Sequence, residues 1–136
     1  MRQGIQANFS ESDVKEYGCF FLSILRLAEE FSKKDFSEDE VLDFYKQAKG
    51  KKYISDQCHI EKSVELLNLA AGKVIVSNML KMDSTDQPQT NLYIICQKKP
   101  MYAHFIAYVN GALWDPLDPN RPSAKNYKTA SYRVFY

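Results

Sequence analysis

The sequence predicts an α+β domain in which helices from the first half pack on one face of an antiparallel β-sheet built from the second half. Three observations carry this. Up to Ala71 the apolar residues recur at helical spacing, and from Lys73 onward they fall in short β-branched or alternating stretches. Asn110-Gly111, flanked by two such stretches, is the strongest two-residue hairpin signal in the chain. Helices that precede the strands, rather than alternate with them, favour an antiparallel sheet with the helices gathered together. At 136 residues the chain suits one domain, 1–136, with a real core.

Residues 1–12 are polar and read as an arm, after which Ser12 or Asp13 caps a short helical turn leading to Gly18. The first long helix follows, to about Phe31. Phe20, Phe21, Ile24, Leu25, Leu27, Ala28 and Phe31 form its core face, with Ser23, Arg26, Glu29 and Glu30 opposite. Ser37-Glu38-Asp39-Glu40 has capping-box spacing and opens a second helix, whose stripe of Val41, Phe44, Tyr45 and Ala48 ends at Gly50. A third helix is expected from Ile60 to Ala71, stopped by Gly72. Lys73–Leu80 reads as the first strand, Asp83–Thr90 with Pro88 as a loop, and Leu92–Cys96 as a central strand. Met101–Val109 is the next strand, and Asn110-Gly111 turns it into Ala112–Asp115. Asp118–Ala130 has no periodicity and reads as a loop, before a last strand from Ser131 to Tyr136.

With 18 basic against 17 acidic residues, the formal charge is +1, which argues against a dedicated nucleic-acid or membrane-surface binder. No apolar run approaches the length of a membrane span, and Met1-Arg2-Gln3-Gly4 lacks the apolar core of a secretion signal. A cytoplasmic protein is therefore expected. Cys19, Cys58 and Cys96 are odd in number and scattered, which fits a reducing compartment. No cofactor motif is present, and Cys58, His59 and Cys96 lack the paired close spacings of a structural zinc site. The oligomeric state is not legible.

Chemistry is expected at Cys19. Gly18 lets the backbone turn sharply into the helix, and a helix N-terminus presents free N–H groups and partial positive charge that favour a thiolate. Cys19 lies one turn before Ser23, on the side of the helix away from the core, where a thiol can face a cleft. The alternative for such a residue is a small buried hydrophobe. A thiol nucleophile needs a base and a group that orients the base, and the chain has two histidines. His59 adjoins Cys58, but neighbouring helical residues do not face each other.

His104 lies within a strand. A two-residue turn at Asn110-Gly111 pairs Val109 with Ala112, so Ile106 falls opposite Asp115 and His104 opposite Leu117. His104 and Asp115 then share a face, diagonal across the ladder. A three-residue turn would shift the register and bring Asp118 instead. Trp114 points to the opposite face, into packing; Tyr102 and Tyr108, on the His104 face, line a cleft or pack on the sheet.

Tyr17-Gly18-Cys19 opening a helix, then His104-Phe105 on a strand, a hairpin and Trp114-Asp115-Pro116, resembles a compact papain-like cysteine peptidase. The likeness is to the leader-peptidase-like group associated with bacteriocin export and spans Tyr17 to Pro116. It implies a papain-like fold with Cys19 as nucleophile, His104 as base and then acid, and Asp115 as the orienting residue. Substrates of such enzymes would be a peptide, a peptidoglycan stem or a protein glutamine. This sequence departs from the group at two places. Asp13 occupies the place of the upstream glutamine that donates to the oxyanion, so Gln6, with Gln3 beside it, becomes the candidate donor together with the backbone N–H of Cys19. Phe20-Phe21 stands where the leader peptidases tend to have glycine and proline. A papain-like binding or regulatory module without turnover is the alternative reading.

Overall fold

The structure is a computed structural model that describes residues 1–136. A 3-10 turn at Ile5–Asn8 leads into α1 (Ser12–Tyr17), and α2 (Cys19–Ser32) follows after the single residue Gly18. Next come α3 (Glu38–Gly50), a ribbon of β1 (Ile54–Ser55) and β2 (His59–Ile60) around a 3-10 turn, and α4 (Ser63–Ala71). The remainder is β3 (Met79–Asp83), β4 (Leu92–Lys99), β5 (Tyr102–Val109), β6 (Ala112–Trp114) and β7 (Lys128–Phe135). These last five make one antiparallel sheet in the order β3-β7-β4-β5-β6. The fold is α+β.

The core lies between helices and sheet. Phe21, Leu22, Ile24, Leu25, Leu27 and Ala28 of α2 are fully buried, together with Leu66 and Leu67 of α4 and Ile94 of the central strand. Each of the large side chains among these contributes about 1.5–3 kcal/mol by leaving water, and α2 supplies most of them. Trp114 is buried in the same core, as its place on the strand predicts. The opposite face of the sheet carries a smaller cluster in which Tyr93 stacks on Tyr108 (ring centroids 4.6 Å apart) and meets Tyr132 edge-on. Tyr108 thus packs on the sheet.

The capping box of α3 forms as expected: Glu40 N–H donates to Ser37 Oγ at 3.1 Å, and Ser37 N–H to Glu40 Oε1 at 3.2 Å. At α1 the cap is Glu11, whose carboxylate accepts from Asp13 N–H. Helix α4 starts at Ser63, later than Ile60, because His59 and Ile60 pair with Ser55 and Ile54.

The first sheet strand begins six residues later than expected. Residues 73–78 are irregular and the strand begins at Met79. Asn68 of α4 is the cause: its Oδ1 accepts from Ile75 and Val76 N–H, and its Nδ2 donates to Val76 C=O. This side chain satisfies the backbone groups that a β-ladder would otherwise use, so the β-branched run is pinned to a helix instead. At the other end β7 begins at Lys128, within the stretch expected to be loop, and is completed by pairing on β4 and β3.

Candidate active site

Gly18 sets the position of Cys19. Its N–H donates to Val14 C=O at 2.9 Å, ending α1, and α2 begins at the next residue. The approach is so close that a Cβ on Gly18 would lie 2.3 Å from the Val14 carbonyl oxygen. Only glycine fits there. The first turn of α2 is then fastened to β5: Phe20 stacks on Phe105 with ring centroids 4.3 Å apart, and Ser23 Oγ donates to Phe105 C=O at 3.3 Å. Phe105 adjoins His104, so the helix that carries the thiol is fastened to the strand that carries the imidazole.

The Asn110-Gly111 turn has two residues, and Val109 pairs with Ala112, Tyr108 with Leu113 and Ala107 with Trp114. Both turn residues have positive φ, as a tight hairpin requires. This register carries Asp115 past the end of β6 to His104, whose Nε2 lies 2.7 Å from Asp115 Oδ1. Asp118 is not the partner: its carboxylate accepts from Asn120 N–H.

His104 is 3 % exposed. Burial alone pushes its pKa down, but the hydrogen bond to Asp115, the proximity of Cys19 and the negative charge of Asp115 outweigh this and raise it above the ordinary histidine value. Burial pushes the Asp115 carboxyl up, yet the bonds from His104, from Leu117 N–H and from Arg121, with the imidazolium charge, hold it below the usual carboxylate range. With Nε2 facing Asp115, Nδ1 is the ring nitrogen left for the thiol.

Sequence reasoning missed the support around Asp115. Arg121 Nη1 donates to its Oδ2 at 3.1 Å and Leu117 N–H to its Oδ1 at 2.9 Å. Its backbone is clamped by the N-terminal arm, with Asp115 N–H donating to Gln3 Oε1 and Gly4 N–H to Asp115 C=O. Trp114-Asp115-Pro116 signalled the acid, but a lone arginine in an aperiodic loop gave no sign of where it would point.

The family described as DUF261, a protein of unknown function, matches residues 2–136. The chain belongs to the DUF261 family. No curated protein and no solved structure matches it.

In this DUF261 domain the half-buried Cys19 opens onto a cavity of about 260 Å³, shared with Phe20, Phe105, Gln57 and Cys58. The loop that closes this cavity is held by Asp13, whose carboxylate accepts from Gln57 N–H at 3.2 Å and from the Tyr45 hydroxyl at 3.4 Å. Gln57 and Cys58 both have positive φ, 58° and 54°, a costly arrangement for two consecutive residues with side chains. Asp13 thus anchors one wall of the cavity.

The remaining candidates make no hydrogen bond to His104 or Asp115. Gln6 is buried, its Nε2 donates to Lys15 C=O at 3.1 Å, and it is not part of the cavity wall around Cys19. The Cys58 thiol is pushed up to about 12 by burial, with the charges of Cys19 and Asp13 adding to the effect, and exposed His59 faces Glu61 instead. Cys96 is buried in β4. No helix is long and apolar enough to cross a membrane.

Proposed function

We propose that this protein is a papain-like thiol hydrolase that cleaves an amide bond through Cys19, His104 and Asp115. The observation that carries this reading is the pairing of His104 Nε2 with Asp115 at 2.7 Å on a strand to which the first turn of the Cys19 helix is fastened, through the Phe20–Phe105 stack and the Ser23 bond to Phe105 C=O. A helix whose first residue is the cysteine, packed on the strand bearing the histidine, supports the papain-like architecture.

In the proposed reaction His104 Nδ1 accepts the thiol proton and the Cys19 sulfur attacks the carbonyl carbon. The backbone N–H of Cys19, one of the donors a helix N-terminus leaves unpaired, faces the negative oxygen that forms. His104 then passes its proton to the leaving nitrogen as the C–N bond breaks, which leaves a thioester on Cys19. Water gives a proton to His104 and its oxygen displaces the sulfur, releasing the acid. Asp115 holds the ring in the tautomer with hydrogen on Nε2 and stabilises the cation between these transfers.

The test is digestion of a mixed peptide library followed by mass spectrometry of the products. The wild-type protein is expected to yield new peptide termini, and Cys19→Ala none. Identical product sets from the two proteins would leave a binding role as the better account.

A further inference from the structure

Two cavities lie close to His104: its strand neighbours Ala103 and Phe105 line the first, and Tyr127, beside its ring, lines the second. One is the cavity at Cys19; the other, of about 360 Å³, is lined by Lys99, Tyr102, Leu117, Arg121, Ser123 and Tyr127. The second is joined to the catalytic group at three points: the Tyr127 ring centroid lies 5.9 Å from that of His104, and Leu117 N–H and Arg121 Nη1 both bind the Asp115 carboxylate. Its distinctive feature is charge. Lys99 Nζ sits 4.6 Å from the Tyr127 ring centroid and 5.7 Å from that of Tyr102, and donates to Ser123 C=O at 2.8 Å. These contacts hold the ammonium in place without neutralising it, since no carboxylate is paired with it.

The surroundings hold few acids that could offset that charge. From Gln97 to Tyr136 the chain has six lysines and arginines against two acids, Asp115 and Asp118, although the whole protein is almost neutral. Asp115 is already occupied by His104 and Arg121, and Asp118 by Asn120. Lys99 and Arg121 therefore give a positive field to a pocket with an apolar residue, Leu117, and two phenol rings in its wall.

We propose that this second cavity binds a carboxylate carried by the substrate on the leaving-group side of the scissile amide, so that the substrates are acidic peptides. The assignment to the leaving-group side rests on the hydrolase reading: His104 hands its proton to the departing nitrogen, and the segment attached to that nitrogen extends past His104, away from Cys19. Lys99 is the principal recognising residue. Arg121 is a positioning residue for Asp115 whose charge adds to the field. A peptide is favoured over a nucleic acid because the cationic region is a pocket beside a Cys-His-Asp cluster rather than a stripe of spaced phosphate contacts.

The proposal is tested by binding without turnover, in the Cys19→Ala protein, with a fluorescein-labelled hexapeptide carrying two glutamates and its glutamine counterpart. At low ionic strength the glutamate peptide is expected to bind about tenfold more tightly by anisotropy, and added salt to narrow the gap. Lys99→Gln should abolish the preference, whereas Lys99→Arg and the remote Lys34→Gln should keep it. Equal affinities for the two peptides, an unchanged preference in Lys99→Gln, or tighter binding of a thymidine oligonucleotide of equal charge would each overturn it. Because the readout needs no catalysis, failure here leaves the hydrolase reading standing, and failure of peptide cleavage leaves this result standing.

Discussion

On the proposed hydrolase reading, Asp115→Asn is expected to lower amide turnover about 10³-fold while the protein remains folded. Three donors converge on the carboxylate, from His104, Leu117 and Arg121, and between them they use both oxygens. An asparagine amide has one oxygen and one NH₂, so at least one donor must face another donor. If the oxygen stays with Arg121, the NH₂ meets His104 and favours the tautomer with hydrogen on Nδ1, the wrong one for accepting the thiol proton. If it stays with His104, the NH₂ faces the half-buried Arg121 guanidinium, which loses its ion pair and keeps only the Asp118 carbonyl. Neither orientation restores the negative charge that stabilises the imidazolium.

The same substitution has a pH signature. The folded pKa of His104 is raised, so its stabilising contribution is complete below the unfolded value of about 6.5 and is lost as pH rises through the folded value. The folded pKa of Asp115 is lowered, so its contribution is present above the unfolded value of about 3.9 and is lost as pH falls through the folded value. The stability gap between wild type and Asp115→Asn is therefore widest at about pH 4–6.5, on the order of 3 kcal/mol for a buried pair with one partner removed, and shrinks on either side. Urea denaturation across this range measures it, and a gap independent of pH would show that His104 and Asp115 do not titrate as a pair. In the same protein the His104 ring resonances should titrate at lower pH than in wild type.

Gly18→Ala is expected to cost about 2–3 kcal/mol, or roughly 6–10 °C in Tm for a domain of this size. The added methyl would lie 2.3 Å from the Val14 carbonyl oxygen and 3.0 Å from its carbon, and these are backbone atoms that no rotamer change can move aside. Relief requires the junction of α1 and α2 to open, which shifts Cys19 relative to His104 and disturbs the Phe20–Phe105 stack. Thermal unfolding reads the first effect and near-ultraviolet circular dichroism the second. A variant with unchanged Tm and unchanged aromatic signal would mean that the close approach does not determine where the helix starts.

What the sequence revealed of the site depended on whether a local rule acted there. Asn110-Gly111 is a local rule, and the two-residue turn it specifies aligned β5 with β6 and so chose Asp115 over Asp118. The apolar stripe of α2 and the glycine before Cys19 were legible in the same way. Asn68, by contrast, captures Ile75 and Val76 through a side chain, and a propensity scale that reads β-branched residues as a strand has no means of registering this. Gln57 and Cys58 adopt left-handed backbone that neither residue type prefers. Asp13, from α1, helps hold them there, so the cause lies far away in sequence. Arg121 reaches Asp115 from an aperiodic loop for a similar reason: electrostatics within the folded chain selects its place, and no periodicity announces it. Gln6 drew attention by residue type alone, and its Nε2 instead serves the backbone of Lys15.

The most direct measurement is the rate of iodoacetamide alkylation at each of the three cysteines from pH 5 to 9, read by peptide mass spectrometry on wild type and His104→Ala. The proposed dyad predicts that Cys19 alone reacts rapidly below neutrality, while Cys58 and Cys96 are protected by burial. It predicts in addition that His104→Ala slows Cys19 at pH 6 about 10²-fold. Equal Cys19 rates in the two proteins across the whole range would contradict the pairing of thiol and imidazole, and with it the catalytic reading of the site.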